Sequence, residues 1–263
     1  MHWVLLRGLM REARHWGEFP EALGFAFPGS NVSTPDLPGN GRRFEERSPA
    51  SISAMVEHLR QDLHRQGFAP PYHLLALSLG GMMAAHWSAR YPGEVTAAVL
   101  INTSMRPNPF YHRLRPANYP AILNLALHGA NAALRERTIL RLASSAAARP
   151  AVLAAWQRYA QECPVSRTNA LRQLFAAARF RAPAAMAHNR LLLLASAGDW
   201  LVSSTCSQAL AKRWNASLVI HPFAGHDLPL DDSAWVIEQV HHWAAATAIP
   251  CSGASVEPVK PAV

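Results

Sequence analysis

Four short apolar runs punctuate the chain: Val4-Leu5-Leu6, Leu74-Leu75-Ala76-Leu77, Ala97-Ala98-Val99-Leu100-Ile101 and Leu191-Leu192-Leu193-Leu194. Each is followed by small or polar residues, the pattern of strands buried on both faces of a parallel sheet. Leu218-Val219-Ile220 predicts a later strand. Between the runs the apolar positions take helical spacing. Ile52, Met55, Val56 and Leu59 precede the second run, Met82, Met83, His86 and Trp87 follow it, and Trp235, Val236, Val240 and Trp243 mark a closing helix. This alternation predicts an α/β fold with a mostly parallel sheet of about six strands. Residues 105–188 break it: Ile122-Leu123-Leu125, Ile139-Leu140-Leu142, Val152-Leu153-Trp156 and Leu171-Leu174-Phe175 predict helices separated by Pro, Gly or polar breaks. The chain therefore divides into a core of residues 1–104 and 189–248, a helical insertion of residues 105–188, and a tail, 249–263, whose Pro, Ser and Gly without periodicity predict disorder.

Composition narrows the class. With 263 residues, half of them hydrophobic, the chain can bury a sizeable core in one catalytic domain. No apolar run approaches the roughly 18–20 residues of a membrane-spanning helix, and Met1 to Gly8 does not read as a signal peptide. Cys163, Cys206 and Cys251 lie far apart and form no C-x-x-C pair, which excludes a disulfide framework or thiolate metal site. A soluble protein of the reducing cytoplasm is expected, with no cofactor implied.

The formal charge of +8 is unevenly placed. Residues 105–188 hold twelve arginines against only Glu136 and Glu162, while the segments on either side are neutral or slightly acidic. Such a patch concentrates anionic partners; the plainer reading is that Arg is the general solubilising residue of a chain with two lysines. No nucleic-acid-binding motif accompanies the arginines.

Candidate chemistry sits at the strand ends. Ala76-Leu77-Ser78-Leu79-Gly80-Gly81 lies between a strand-like and a helix-like run, with small residues where a sharp strand-to-helix turn brings backbone and side chains close. The same motif alone would suit a serine capping a helix. A serine nucleophile needs a histidine to take its proton and a carboxylate to orient that histidine, and both are found after later strands. Asp199, in Ala197-Gly198-Asp199-Trp200, is the sole carboxylate between Glu162 and Asp227. His226, in Phe223-Ala224-Gly225-His226-Asp227, has small neighbours suited to a loop bending back to the serine. Asp227, Asp231 and Asp232 are rivals for the acid, but their adjacency to His226 makes the geometry harder and solvation at the surface is expected. Two backbone N–H donors for an oxyanion would come from Leu79, after the nucleophile, and Leu9, after the first strand.

With these residues in place the chain resembles the α/β-hydrolase superfamily, and within it the small cap-bearing carboxylesterases such as the pimeloyl-acyl-carrier-protein methyl ester esterases. Arg7-Gly8-Leu9 stands where that family has His-Gly-x, Trp16 falls at the spacing of its tryptophan, and Asp36-Leu37-Pro38-Gly39-Asn40-Gly41-Arg42 looks like its Asp-Leu-Pro-Gly-x-Gly-Arg loop. The resemblance implies that residues of about 105–188 cap Ser78 and that their basic residues hold an acidic acyl carrier protein. It departs at Arg7, which replaces histidine and would either meet an anionic substrate or make a structural salt bridge, and at the start, where the first one or two strands of the fold are missing. Arg7 and Trp200 are candidates for contacting substrate. The expected function is a serine hydrolase of carboxylic esters or thioesters. A lyase or C–C bond hydrolase with the same triad is the enzymatic alternative, and a binding protein that keeps the fold without turnover is the alternative of another class.

Overall fold

The computed structural model describes residues 1–128, 131–145, 150–186 and 190–247. Arg149, the expected boundary at 188–189 and the tail 249–263 lie outside them. Six strands form one parallel sheet: β1 (His2–Leu6), β2 (Asn31–Ser33), β3 (Tyr72–Leu77), β4 (Val95–Ile101), β5 (Leu191–Ser196) and β6 (Ser217–His221). Their order is β2-β1-β3-β4-β5-β6. The strand that the apolar runs do not announce is β2, an edge element of three partly exposed residues whose pairing with His2, Trp3 and Val4 is nearly all that defines it.

Alternation along the strands builds two cores. Val4, Leu6, Leu74, Ala76, Ala98, Leu100, Leu191 and Leu193 face helices α2 (Ile52–Arg65), α3 (Leu79–Arg90) and α9 (Thr205–Trp214). Trp3, Leu5, Leu75, Leu77, Val99, Ile101, Leu192 and Leu194 face α1 (Phe19–Ala26) and α10 (Ser233–Ala246). Because both faces are covered, successive strand residues are all apolar, which is why the runs look continuous in sequence. The chain leaves β1 for one edge of the sheet and returns on its other side as β3. The carboxyl ends of β1 and β3 therefore flank the crevice in which sheets of this kind place their ligands.

Between β4 and β5 every regular element among the described residues is a helix: α4 (Phe110–Arg113), α5 (Tyr119–His128), α6 (Ala132–Ala143), α7 (Pro150–Glu162) and α8 (Arg167–Arg179). Helix α8 is inverted relative to an ordinary surface helix. Its buried positions are Asn169, Gln173 and Ala176, whereas Leu171 is 65 % and Phe175 53 % exposed. Polar chemistry explains the inversion. Gln173 accepts from Met10 N–H (2.9 Å) and donates to Asn40 Oδ1 (2.6 Å) and Ser48 Oγ (3.0 Å). Asn169 accepts from Ser48 N–H and donates to Glu46 O, both at 2.9 Å. Two ion pairs add to this attachment: Arg11 with the buried Glu136 (2.8 Å) and Arg14 with Glu162. Among the described residues no helix is long and apolar enough to cross a membrane.

Gln173→Leu would leave Met10 N–H, Asn40 Oδ1 and Ser48 Oγ without this partner, and each stranded buried group costs about 1–3 kcal/mol. Urea denaturation should show a loss of at least that size, larger than the loss from Leu174→Ser on the exposed face.

Candidate active site

Ser78 begins where β3 becomes α3, with φ 57° and ψ −114°, a conformation that a residue with a side chain adopts only under constraint. The constraint is close packing. A Cβ on Gly80 would strike the carbonyl of Leu6, and one on Gly81 would lie 2.6 Å from Thr103 Cβ, so only glycine lets α3 start this near β1 and β4. Ser78 N–H donates to Ile101 O (2.9 Å), and Thr103 Oγ1 donates to Ser78 O (2.7 Å). The loop after β1 lies on the serine, since a Cβ on Gly8 would be 3.3 Å from Ser78 Cβ and 3.8 Å from its Oγ.

His226 and Asp199 arrive from the other side of β4. Nδ1–H of His226 donates to Asp199 Oδ2 at 2.7 Å, and Asp199 Oδ1 accepts from Leu201 N–H (2.8 Å) and Val202 N–H (2.9 Å). The carboxylate is thereby fixed in orientation, and Nε2 of the neutral imidazole is left as the proton acceptor. Burial pushes the His226 imidazolium toward neutrality, but the charge and hydrogen bond of Asp199 outweigh it and hold the group above the ordinary histidine value. Asn102, at the end of β4, donates to His226 O (2.8 Å), Gly225 O (3.2 Å) and Ser196 Oγ (3.0 Å). Residues 101–103 thus hold the serine turn and the histidine loop together.

Leu79 is the first residue of α3, so its N–H has no acceptor within the helix. Leu9 lies in a turn closed by Arg11 N–H to Gly8 O (3.3 Å), while Gln173 takes the amide of Met10, and neither bond uses the N–H of Leu9. The Asp36 to Arg42 loop supports this turn from behind. Asp36 accepts from Ala13 N–H (2.8 Å) and Arg42 N–H (3.0 Å), and Asn40 donates to Arg11 O (2.9 Å). A cavity of about 20 Å³ beside Met10, Arg11, His15 and Glu136 is the size of one water and lies behind the turn, not over the serine.

Of the two readings given for Arg7 the structure shows the salt bridge, and the expectation for Asp227 changes. Arg7 is no free cation: its guanidinium grips both carboxylate oxygens of Asp227, at 2.5 and 3.2 Å, and lies 4.7 Å from the Trp16 ring centroid. Both partners are buried, Arg7 at 6 % and Asp227 at 3 % exposure, so Asp227 is not a solvated surface acid. Asp231 is likewise engaged, accepting from Gly225 N–H (2.7 Å) and Ser145 N–H (3.0 Å). Trp200 stands 67 % exposed, with Arg115 5.9 Å from its ring centroid. Sequence reasoning did not single out Asn102, Thr103 or Gln173. For the first two the signal was present, as polar residues directly after the apolar run of β4; for Gln173, one polar residue among many on a helix, there was none.

Known proteins place this arrangement in context. The sequence profile described as "Alpha/beta hydrolase family" matches residues 3–239. A pimeloyl-[acyl-carrier protein] methyl ester esterase of Chromobacterium violaceum is 38 % identical over 71 residues, 27 % of this chain and 26 % of that protein. The matches to curated relatives thus span about a quarter of their length. Among solved structures, a thermophilic esterase from Thermogutta terrifontis has a TM-score of 0.73 at 18 % identity, covering 94 % of this chain and 90 % of that one. The enol-lactonase from Burkholderia xenovorans LB400 has a TM-score of 0.73 at 16 % identity, covering 93 % and 91 %. At such identities the likeness is one of fold.

The raised value of His226 has a signed consequence. Its pairing with Asp199 stabilises the fold fully below the ordinary histidine value of 6.5 and is lost as pH rises through the higher folded value. Unfolding free energies of the wild type and Asp199→Asn should therefore differ more at about pH 6 than at about pH 9.

Proposed function

The chain belongs to the α/β hydrolase family, and on that premise we propose that it is a serine hydrolase that cleaves a carboxylic ester or thioester through an acyl-Ser78 intermediate. The observation that carries this reading is the pairing of two features: a serine held at φ 57° against Gly8, and a histidine whose Nδ1 is fixed by Asp199 at 2.7 Å. Strain at a strand-to-helix serine exposes Oγ, and an imidazole oriented through Nδ1 offers Nε2 as base. In this mechanism His226 takes the Ser78 proton as Oγ attacks the acyl carbon, and the N–H groups of Leu9 and Leu79 stabilise the oxyanion. His226 then protonates the leaving group, activates water and returns the proton to Ser78, while Asp199 stabilises the imidazolium.

The helices between β4 and β5 act as the cap in this proposal. Their two acids are engaged with core arginines, Glu136 with Arg11 and Glu162 with Arg14. Arg137, Arg141 and Arg167 are exposed and have no acidic partner among the described residues. An acyl group delivered on an acidic acyl carrier protein suits that surface, and the Chromobacterium violaceum relative is named for such a carrier-bound ester. The alternative of a lyase or C–C hydrolase with the same triad loses one of its supports, a free Arg7 to hold a carboxylate, to the ion pair with Asp227. The exposed position of Trp200 suits contact with a large substrate rather than with the reacting acyl carbon.

A fluorophosphonate probe should label Ser78 in the wild type and not in Ser78→Ala, with peptide mass spectrometry locating the adduct. Ser78→Ala and His226→Ala should lower kcat/KM for a p-nitrophenyl ester by about a thousandfold or more. Absence of labelling together with absence of esterase activity would turn the reading toward a binding protein. Reversing Arg137, Arg141 and Arg167 to Glu should slow turnover of a carrier-bound ester about tenfold or more while sparing a small neutral ester; equal effects on both substrates would remove the carrier from the proposal.

A further inference from the structure

We propose that Arg7 and Asp227 are a positioning pair for His226: their ion pair ties the loop that supplies the oxyanion N–H to the loop that supplies the base, and cancels a negative charge beside the imidazole. The inference rests on reading Ser78, His226 and Asp199 as the catalytic groups. Arg7 immediately precedes Gly8, which lies on Ser78, and Leu9. Asp227 immediately follows His226. A two-point contact of 2.5 and 3.2 Å joins them across 220 positions of sequence. The Trp16 ring covers the guanidinium, and Asp227 N–H donates to Ala143 O at the end of α6 (2.6 Å), so both partners are held from more than one side.

The charges around His226 make the pair more than a brace. Asp199 meets Nδ1; Asp227 and Arg7 act on the ring with opposite sign; Asp231 holds the amide of Gly225; and the neutral Asn102 takes the His226 carbonyl. While Arg7 neutralises Asp227, burial and Asp199 between them set the balance between imidazole and imidazolium. Without Arg7, the bare carboxylate of Asp227 favours imidazolium and withdraws the base at a higher pH. Without Asp227, the bare guanidinium favours imidazole. A bracing role alone predicts damage of one kind from either loss. A charge-balancing role predicts shifts of opposite sign.

The test follows the His226 titration by NMR in the full-length protein, alongside fluorophosphonate labelling and the pH profile of kcat/KM. Arg7→Gln should raise the His226 midpoint by about half a unit or more and Asp227→Asn should lower it by a similar amount. The acid limb of kcat/KM should move the same way, and kcat should fall about tenfold to a hundredfold with little change in KM. Arg7→Lys should stay near the wild-type midpoint. Arg7→Gln with Asp227→Asn, which buries no charge, should restore it and recover part of kcat. Midpoints that do not move, or that move the same way in both single variants, overturn the proposal. If neither single variant folds, a displaced midpoint in the double variant overturns it as well. Failure of the wild type to react with the probe would instead overturn the hydrolase reading, leaving the NMR midpoints to judge the pair.

Discussion

Asn102 is the joint of the site. Its side chain accepts from Ser196 N–H (2.8 Å) and donates to Ser196 Oγ and to the carbonyls of Gly225 and His226, while its own N–H is held by Leu194 O (3.0 Å). On either side of it, Ile101 O and Thr103 Oγ1 grip the backbone of Ser78. Three consecutive residues at the end of β4 thus fix the distance between the serine turn and the histidine loop. The reason is one of satisfaction. These groups are buried, each unpaired donor or acceptor would cost free energy, and they have one another as partners only when both loops are in place. Side chains that need registration within a fraction of an ångström are hung from the middle of the sheet rather than from its edges.

The helices between β4 and β5 are attached differently. Gln173, Asn169, Arg11 with Glu136, and Arg14 with Glu162 make a polar seam between these helices and the loops after β1 and β2. Arg11 also stacks against Trp156 and Arg14 against Tyr159, with ring centroids 4.5 and 4.4 Å from the guanidinium carbons. The seam reaches the site through Met10, whose amide is bound by Gln173 one residue from Leu9. Attachment of the helices and orientation of the turn that carries Leu9 are therefore one arrangement. It also accounts for the charge pattern: both acids of the segment pair with arginines of the loop after β1, Glu136 buried and Glu162 exposed, and Arg137, Arg141 and Arg167 stay exposed without an acidic partner among the described residues.

Arg7 illustrates how a buried cation is held beside the site. A lone buried guanidinium would be costly, as would a lone buried carboxylate. The two occur together, two-pronged, under an aromatic ring, in the two loops that the catalytic reading requires to stay in register.

The sequence by itself determined the α/β class, five of the six strands, the helical character of residues between β4 and β5, and the residues at the strand ends, because each leaves a local mark. Strands buried on both faces read as unbroken apolar runs, and a tight strand-to-helix turn demands small residues around Ser78. It did not reveal β2, whose three residues become a strand only by pairing with β1. Nor did it reveal that Asp227 is buried, that Arg7 is its partner, or that α8 turns its polar face inward. Those outcomes depend on which groups meet across 220 or 163 positions of chain, and a charged or amide side chain has the same local signature whether its partner is water or another buried residue. Only the tertiary structure decides which one it meets.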